Sequence, residues 1–182
     1  IYYVGPQSRG SVSLYTYDGD IWTFAQRVTD INPSTNSFGY KMAIHGNDLM
    51  VVSASNTPHP ASGQCNHYKL INNLLVYQST IKNFAAADYD RFGCDVSVND
   101  KYLMIGSYGI NDDRGASMLY IKVGNRWKPH ETITEKNINI YGSFGVSNFI
   151  DTNNRFVVGA YNAYGTGMAF FGKVLPWIIK IN

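Results

Sequence analysis

Any chemistry this chain performs has to come from four histidines, two cysteines and thirteen carboxylates spread over 182 residues. The histidines are His45, His59, His67 and His130. They show no i, i+2 or i, i+4 pairing, so they do not form the close-spaced ligand set that zinc needs. No G-x-S-x-G elbow, no H-E-x-x-H helix and no phosphate-cradling glycine loop is present. Asp88, Asp90, Asp95 and Glu131 could meet in space as the carboxylate pair of a glycosidase, yet nothing in their spacing selects two of them. Cys65 and Cys94 suit either redox setting, as two buried thiols or as one disulfide in an oxidising compartment. Catalysis is therefore disfavoured, and the sequence calls for no metal and no cofactor.

Composition narrows the class further. The net charge is +2, too small for an electrostatic nucleic-acid binder. No run of about twenty apolar residues exists, so no membrane-spanning helix is expected. The first residues, "IYYVGPQSRG", lack the basic head and apolar core of an intact secretion signal, and a mature, processed or truncated chain would read the same. Fourteen Tyr and seventeen Gly stand beside few charged residues. That mixture suits pleated, half-buried surfaces joined by turns.

The elements that would position these residues follow from a repeat. Phe-Gly pairs fall at Phe38-Gly39, Phe92-Gly93 and Phe144-Gly145, with the Phe residues 54 and 52 positions apart. Each is followed by an apolar run: "LMVVSA" at 49–54, "YLMIGS" at 102–107 and "RFVVGA" at 155–160. A loop closing on Gly63, Gly115 or Gly167 comes next, and then an aromatic strand. Trp22 lies 12 residues after Gly10, Trp127 lies 12 after Gly115, and Trp177 lies 10 after Gly167. Such register over three copies is a repeat.

Each unit reads as four strands. In the copy that starts at Phe92, "FGCDVSV" alternates, "NDK" turns, "YLMIGS" is more continuously apolar, and "ASMLYIKV", "GN" and "RWKPHETI" make a final hairpin. Asp18-Gly19 and Gly124-Asn125 are hairpin corners that need positive φ. Pro129 falls in the last strand, which is tolerable only at a sheet edge. Four-stranded units of about fifty residues predict a β-propeller, with each Phe filling the gap between neighbouring blades. Gly106 and Gly159 are expected to let neighbours approach closely, and the tryptophans to cover the rim. The expected divisions are a partial blade over 1–30 and blades over 38–84, 92–134 and 144–182, about 3.75 blades in one domain. Such an arc reads as part of a larger propeller, a four-bladed ring, or a piece completed by another chain. In this arrangement Cys65 and Cys94 end on the same face of the disc, so a disulfide between neighbouring blades is one alternative and two buried thiols the other.

These residues resemble the FG-GAP repeat, the blade of the integrin α-subunit head and of many surface proteins. The best matches are Phe144-Gly145 with "VVGA" at 157–160, and Phe92-Gly93 with "MIGS" at 104–107. The resemblance spans nearly the whole chain. The calcium loops of integrin-type blades are not matched: "HGND", "VNDK" and "IDTNNR" hold at most one Asp each, where calcium wants several carboxylates. The Asn111-Asp112-Asp113 cluster sits in a different loop and reads as a solvated turn. By this resemblance the partner face is built from the loops joining strands two to three and four to one. Those loops carry His59, Tyr89, Tyr108, Tyr141, Tyr161 and Tyr164. Tyrosine offers large contact area with few rotors and one polar tip. The expectation is a non-catalytic module on an extracellular, cell or particle surface, binding a protein or glycan. A propeller hydrolase or lyase with its site at the channel mouth, and a capsid or cell-wall building block, are the alternatives.

Overall fold

Each Phe-Gly pair marks a place where the backbone must leave the extended region. Gly39, Gly93 and Gly145 have φ of +83°, +89° and +89°, which glycine adopts without steric cost. In the computed structural model, which describes residues 10–31, 37–53, 63–84 and 90–175, each of these glycines sits in a bulge. Strand pairing jumps from Phe38 to Lys41, from Phe92 to Val96 and from Phe144 to Ser147. The residue before each Phe is left-handed too: Ser37, Arg91 and Ser143 have φ of 62°, 53° and 56°. A bulge of this kind bends and twists the strand that carries it.

The chain is all-β apart from single helical turns, and its strands form successive antiparallel sheets. β1 (Val12–Tyr17) and β2 (Trp22–Val28) pair as the first sheet. β3 (Phe38–His45), β4 (Asp48–Ser53), β5 (Gln64–Ile71) and β6 (Leu74–Lys82) make a four-stranded meander. β7 (Phe92–Val98), β8 (Tyr102–Ser107), β9 (Ala116–Val123) and β10 (Arg126–Ile133) make a second. β11 (Phe144–Ile150), β12 (Arg155–Ala160) and β13 (Met168–Lys173) continue the pattern. The parts of the expected first and last blades over 1–9 and 176–182, Trp177 among them, lie outside the described residues. Pro129 does fall on an edge strand, beside a bulge in the β9–β10 pairing. Gly19 and Gly124 take φ of +107° and +60° at their hairpin corners.

Between neighbouring sheets lie three apolar layers. Phe38 shares one with Val12, Val51, Tyr68 and Leu75. Phe92 shares the next with Met50, Val52, Leu103, Met118 and Tyr120. Phe144 shares the third with Tyr102, Met104, Leu119 and Val158. Each Phe thus fills the seam between its own sheet and the one before it. Burying such a ring stabilises the fold by roughly 1.5–3 kcal/mol. Of the first strands, β7 lies beside both β3 and β11, and β7 also packs against β4 and β11 against β8.

The seams are closed by backbone meeting glycine. A Cβ on Gly10, Gly63 or Gly115 would lie 2.1, 1.9 or 2.0 Å from the carbonyl oxygen of Phe38, Phe92 or Phe144. At Gly106 it would lie 2.0 Å from the Gly145 carbonyl oxygen. Gly159 differs from expectation: a Cβ there would meet only Ser147 of its own sheet, at 3.4 Å, because no described sheet lies beyond it. The tryptophans also divide. Trp127 is buried against the preceding sheet, whereas Trp22, in the first sheet, is 70% exposed and stacks on Tyr17.

A pair of substitutions tests the seam contact. Gly63→Ala should cost about 3 kcal/mol or more, since strain at positive φ adds to a collision with rigid backbone. Gly124→Ala, in open space at a hairpin corner, should cost only about 1–2 kcal/mol. Urea unfolding of both variants measures the difference, and equal costs would show that the Phe92 carbonyl is not confined by Gly63.

Candidate binding face

Meander connectivity brings the β8–β9 loop, the β10–β11 connection and the β12–β13 loop to one end of the sheets. Short loops there need unusual backbone. Asn111, Asp112 and Asp113 are consecutively left-handed, with φ of 53°, 58° and 59°, and Tyr141 and Tyr164 follow at 64° and 54°. Asn and Asp tolerate this region better than most residues. Such conformations persist when their surroundings fix them, and here the loops bond to one another. The Tyr141 N–H donates to the Asp112 carbonyl at 3.2 Å, and the Ser143 N–H to the Asp113 carbonyl at 2.8 Å. Asn162 Nδ2 donates to the Tyr141 carbonyl at 3.2 Å. The Tyr164 N–H donates to Asn139 Oδ1 at 2.6 Å, and its hydroxyl to the Asn137 carbonyl at 2.8 Å.

The outcome is a braced platform with rings projecting from it. Tyr141, Tyr161 and Tyr164 are 59%, 67% and 52% exposed. Tyr108 is half-buried beneath Arg91, whose guanidinium carbon lies 4.8 Å from the ring centroid. Burial raises the Tyr108 pKa, with Arg91 opposing. Arg91 also bonds Asp113 at 3.1 Å, so the left-handed turn, the cation and the ring form one unit. Four of the six predicted residues therefore fall at this end of the sheets. His59 and Tyr89 lie outside the described residues. Sequence reasoning missed Arg91, the Asn137 carbonyl and the side-chain amides of Asn139 and Asn162. The run "EKNINIYG" was a signal for the amides, and Arg91 was readable only as the residue ahead of a Phe-Gly pair.

The groups considered for catalysis are placed otherwise. Asp95 is on β7 and Glu131 on β10, the two edges of one sheet. Three strand spacings separate them, about 14 Å, too far for the carboxylate pair of a glycosidase. Asp95 accepts the Asn148 N–H at 2.6 Å and lies 4.0 Å from Lys41. Asp90 accepts from Asn83 Nδ2 at 2.9 Å. Asp88 lies outside the described residues. Both cysteines are free and buried. Burial pushes each thiol pKa up to about 12, and Cys94 Sγ donates to the Gly145 carbonyl at 3.2 Å. No cluster of three His, Cys, Asp or Glu suited to a metal ion occurs among the described residues. In the β11–β12 turn, Asp151 is occupied by the N–H groups of Asn153 and Arg155 and by the Arg155 guanidinium, and the backbone bond from Arg155 leads in lowering its pKa.

The most unusual polar group is structural. His67, wholly buried on β5, donates from Nε2 to Asp48 Oδ1 at 2.7 Å, and Lys122 from the next sheet donates to Asp48 Oδ2. Lys122 also lies 5.4 Å over the Trp127 ring, and His67 meets that ring edge-on at 6.3 Å. His67 Nδ1 and Trp127 Nε1 are buried without a partner. Burial lowers the His67 pKa, with Asp48 opposing and Lys122 and Lys69 assisting. Burial alone would raise the Asp48 pKa, but bonds from Lys122 and His67 outweigh it and leave the value lowered.

Acid should therefore weaken the fold in two steps. A histidine with depressed folded pKa takes its proton first in the unfolded chain, so stability falls as pH drops through about 6.5. A carboxylate with depressed pKa adds a second loss below about pH 4. Urea midpoints at pH 7.5 and 5.5 should differ in the parent, and His67→Gln should remove most of that difference. An unchanged difference in the variant would place the titration elsewhere.

No protein-family model matches the chain, and no curated protein matches it.

Proposed function

We propose that the chain is a segment of a β-propeller that binds a protein or glycan partner through its loop-rich end, at a cell or particle surface. One observation carries this reading: the loops at that end are bonded into a single platform from which Tyr141, Tyr161 and Tyr164 project into solvent. Exposed rings on a braced backbone lose little freedom on binding, so more of their contact energy reaches affinity. The amides of Asn139 and Asn162 are spent on bracing these loops, so the projecting rings carry the contact.

The propeller reading is supported by the repeat itself. Successive meander sheets pack in chain order, and the first strand of the third and fourth sheets sits against the first two strands of the sheet before it. Sheets that meet along their inner strands suit a fan about an axis better than a sandwich, in which whole faces align. An extracellular or particle surface fits the FG-GAP resemblance and the scarcity of charged residues.

The test uses the whole chain with an array of immobilised oligosaccharides and a displayed peptide library. Ligands selected by the parent should bind the Tyr141→Ser, Tyr161→Ser, Tyr164→Ser triple variant at least about tenfold more weakly, as expected when clustered aromatic anchors are removed. The circular dichroism spectrum should stay unchanged. Undiminished binding by a folded triple variant would overturn the assignment of this face.

A further inference from the structure

We propose that the groove between the outer strands of the second and third sheets binds an acidic oligosaccharide. The site is built from β6, β9 and β10 and is independent of the loop face.

The groove holds about 560 Å³, a size typical of ligand clefts. β6 forms one wall from Gln78 to Lys82, and Tyr120, Asn125, Arg126 and Trp127 stand on the other. Its charges are of one sign. Lys82 ends β6 and Arg126 begins β10, both are exposed, and neither is ion-paired among the described residues. None of the described residues that line the groove is acidic. Two more cations stand behind its wall. Lys69 Nζ donates to Asn125 Oδ1 at 3.1 Å, and Lys122 Nζ lies 5.4 Å over the Trp127 ring. Asp48, which Lys122 meets, is buried and shared with His67. A cleft lined by one sign of charge concentrates ions of the other.

The uncommitted polar groups are mostly donors. Gln78 Nε2 is spent on the Val76 and Tyr77 carbonyls, and Thr80 Oγ1 on Asn66 Oδ1. Lys69 takes the side-chain oxygen of Asn125. That leaves the Asn125 N–H groups, the Ser79 hydroxyl and the two cations to meet a ligand. Such a groove calls for a chain of acceptors that carries anionic groups along its length.

Other chains fit less well. A peptide added as a strand would need a free backbone edge. Along β6 the backbone groups of Leu75, Val76, Tyr77 and Lys82 are already bonded by Gln26, Gln78 and Tyr120. Pro129 removes a donor from β10. A nucleic-acid strand would need ring faces on which to stack, and Tyr120 and Trp127 are only 1% and 8% exposed. A sugar chain needs neither. Its ring and hydroxyl oxygens accept from side-chain donors, and its carboxylate or sulfate groups meet Lys82 and Arg126.

The experiment titrates the full chain by calorimetry with a heparin hexasaccharide and a hexagalacturonate. Neutral chitohexaose, hexaglutamate, oligothymidylate and inorganic sulfate are the other probes. At least one acidic oligosaccharide should bind more tightly than every one of these, and which one binds tells sulfate from carboxylate. Lys82→Ser with Arg126→Ser should weaken that binding about tenfold or more, with the urea midpoint unchanged. Lys128→Ser, on β10 but outside the groove, should leave it unchanged, and added salt should weaken it. Failure of both acidic oligosaccharides to bind would overturn the proposal. So would equal or tighter binding of another probe, or a loss in Lys128→Ser equal to that of the double variant. The Tyr141, Tyr161 and Tyr164 triple variant should bind the acidic probe as the parent does. A loss there with none in the double variant would put the acidic sugar on the loop face and reject the groove. Failure of the groove leaves the tyrosine experiment standing, and the reverse holds too.

Discussion

The structure depends on a contact that involves no side chain. At each described seam the carbonyl of a bulged phenylalanine enters the space where the preceding sheet would carry a Cβ. That contact sets the separation of the sheets, and the separation decides which side chains can fill the layer between them. Phenylalanine closes the layer from one side, and the buried Tyr68 and Tyr120 enter it from their third strands. Because glycine is the only residue that leaves the space free, seam geometry is written at a few fixed positions while the rest of each repeat can drift.

This explains why the fold was legible in the sequence and the site only in part. Phe38, Phe92 and Phe144 with their glycines announce the repeat, because backbone geometry tolerates no substitute at those points. Pro129 and the Gly124 corner were readable for the same reason. Gly159, in register with Gly106, has no described neighbour opposite it, and periodicity carries no information about one. Trp22 and Trp127 show the same effect, one exposed and the other buried in equivalent positions.

The loop end was legible as a set of tyrosines and illegible as a device. Tyr141 and Tyr164 could be named from the loops they occupy. Their bracing by Asn139 and Asn162 and by the Asp112 carbonyl depends on three loops from different parts of the chain reaching one place. The union of Arg91, Tyr108 and Asp113 likewise joins residues 22 apart in sequence. No local pattern encodes such meetings. His67 is the extreme case, a strand residue whose partner Lys122 comes from another sheet.

The polar groups in the seams differ from one seam to the next. Between the first and second sheets, Gln26 pairs with both backbone groups of Leu75, and Asp30 is bonded by Ser53, Gln64 and Asn66. Between the second and third stands the hydrogen-bonded triplet of Asp48, His67 and Lys122. Between the third and fourth, Asn148 takes up Ser117 and Asp95, and Asn99 reaches the Asp151 carbonyl and Asn154. A protein made of near-duplicates risks docking the wrong duplicates while it folds, since their greasy surfaces are interchangeable. Distinct locks penalise every wrong docking with unpaired charge or amide, so the order of the copies is enforced by what each one refuses.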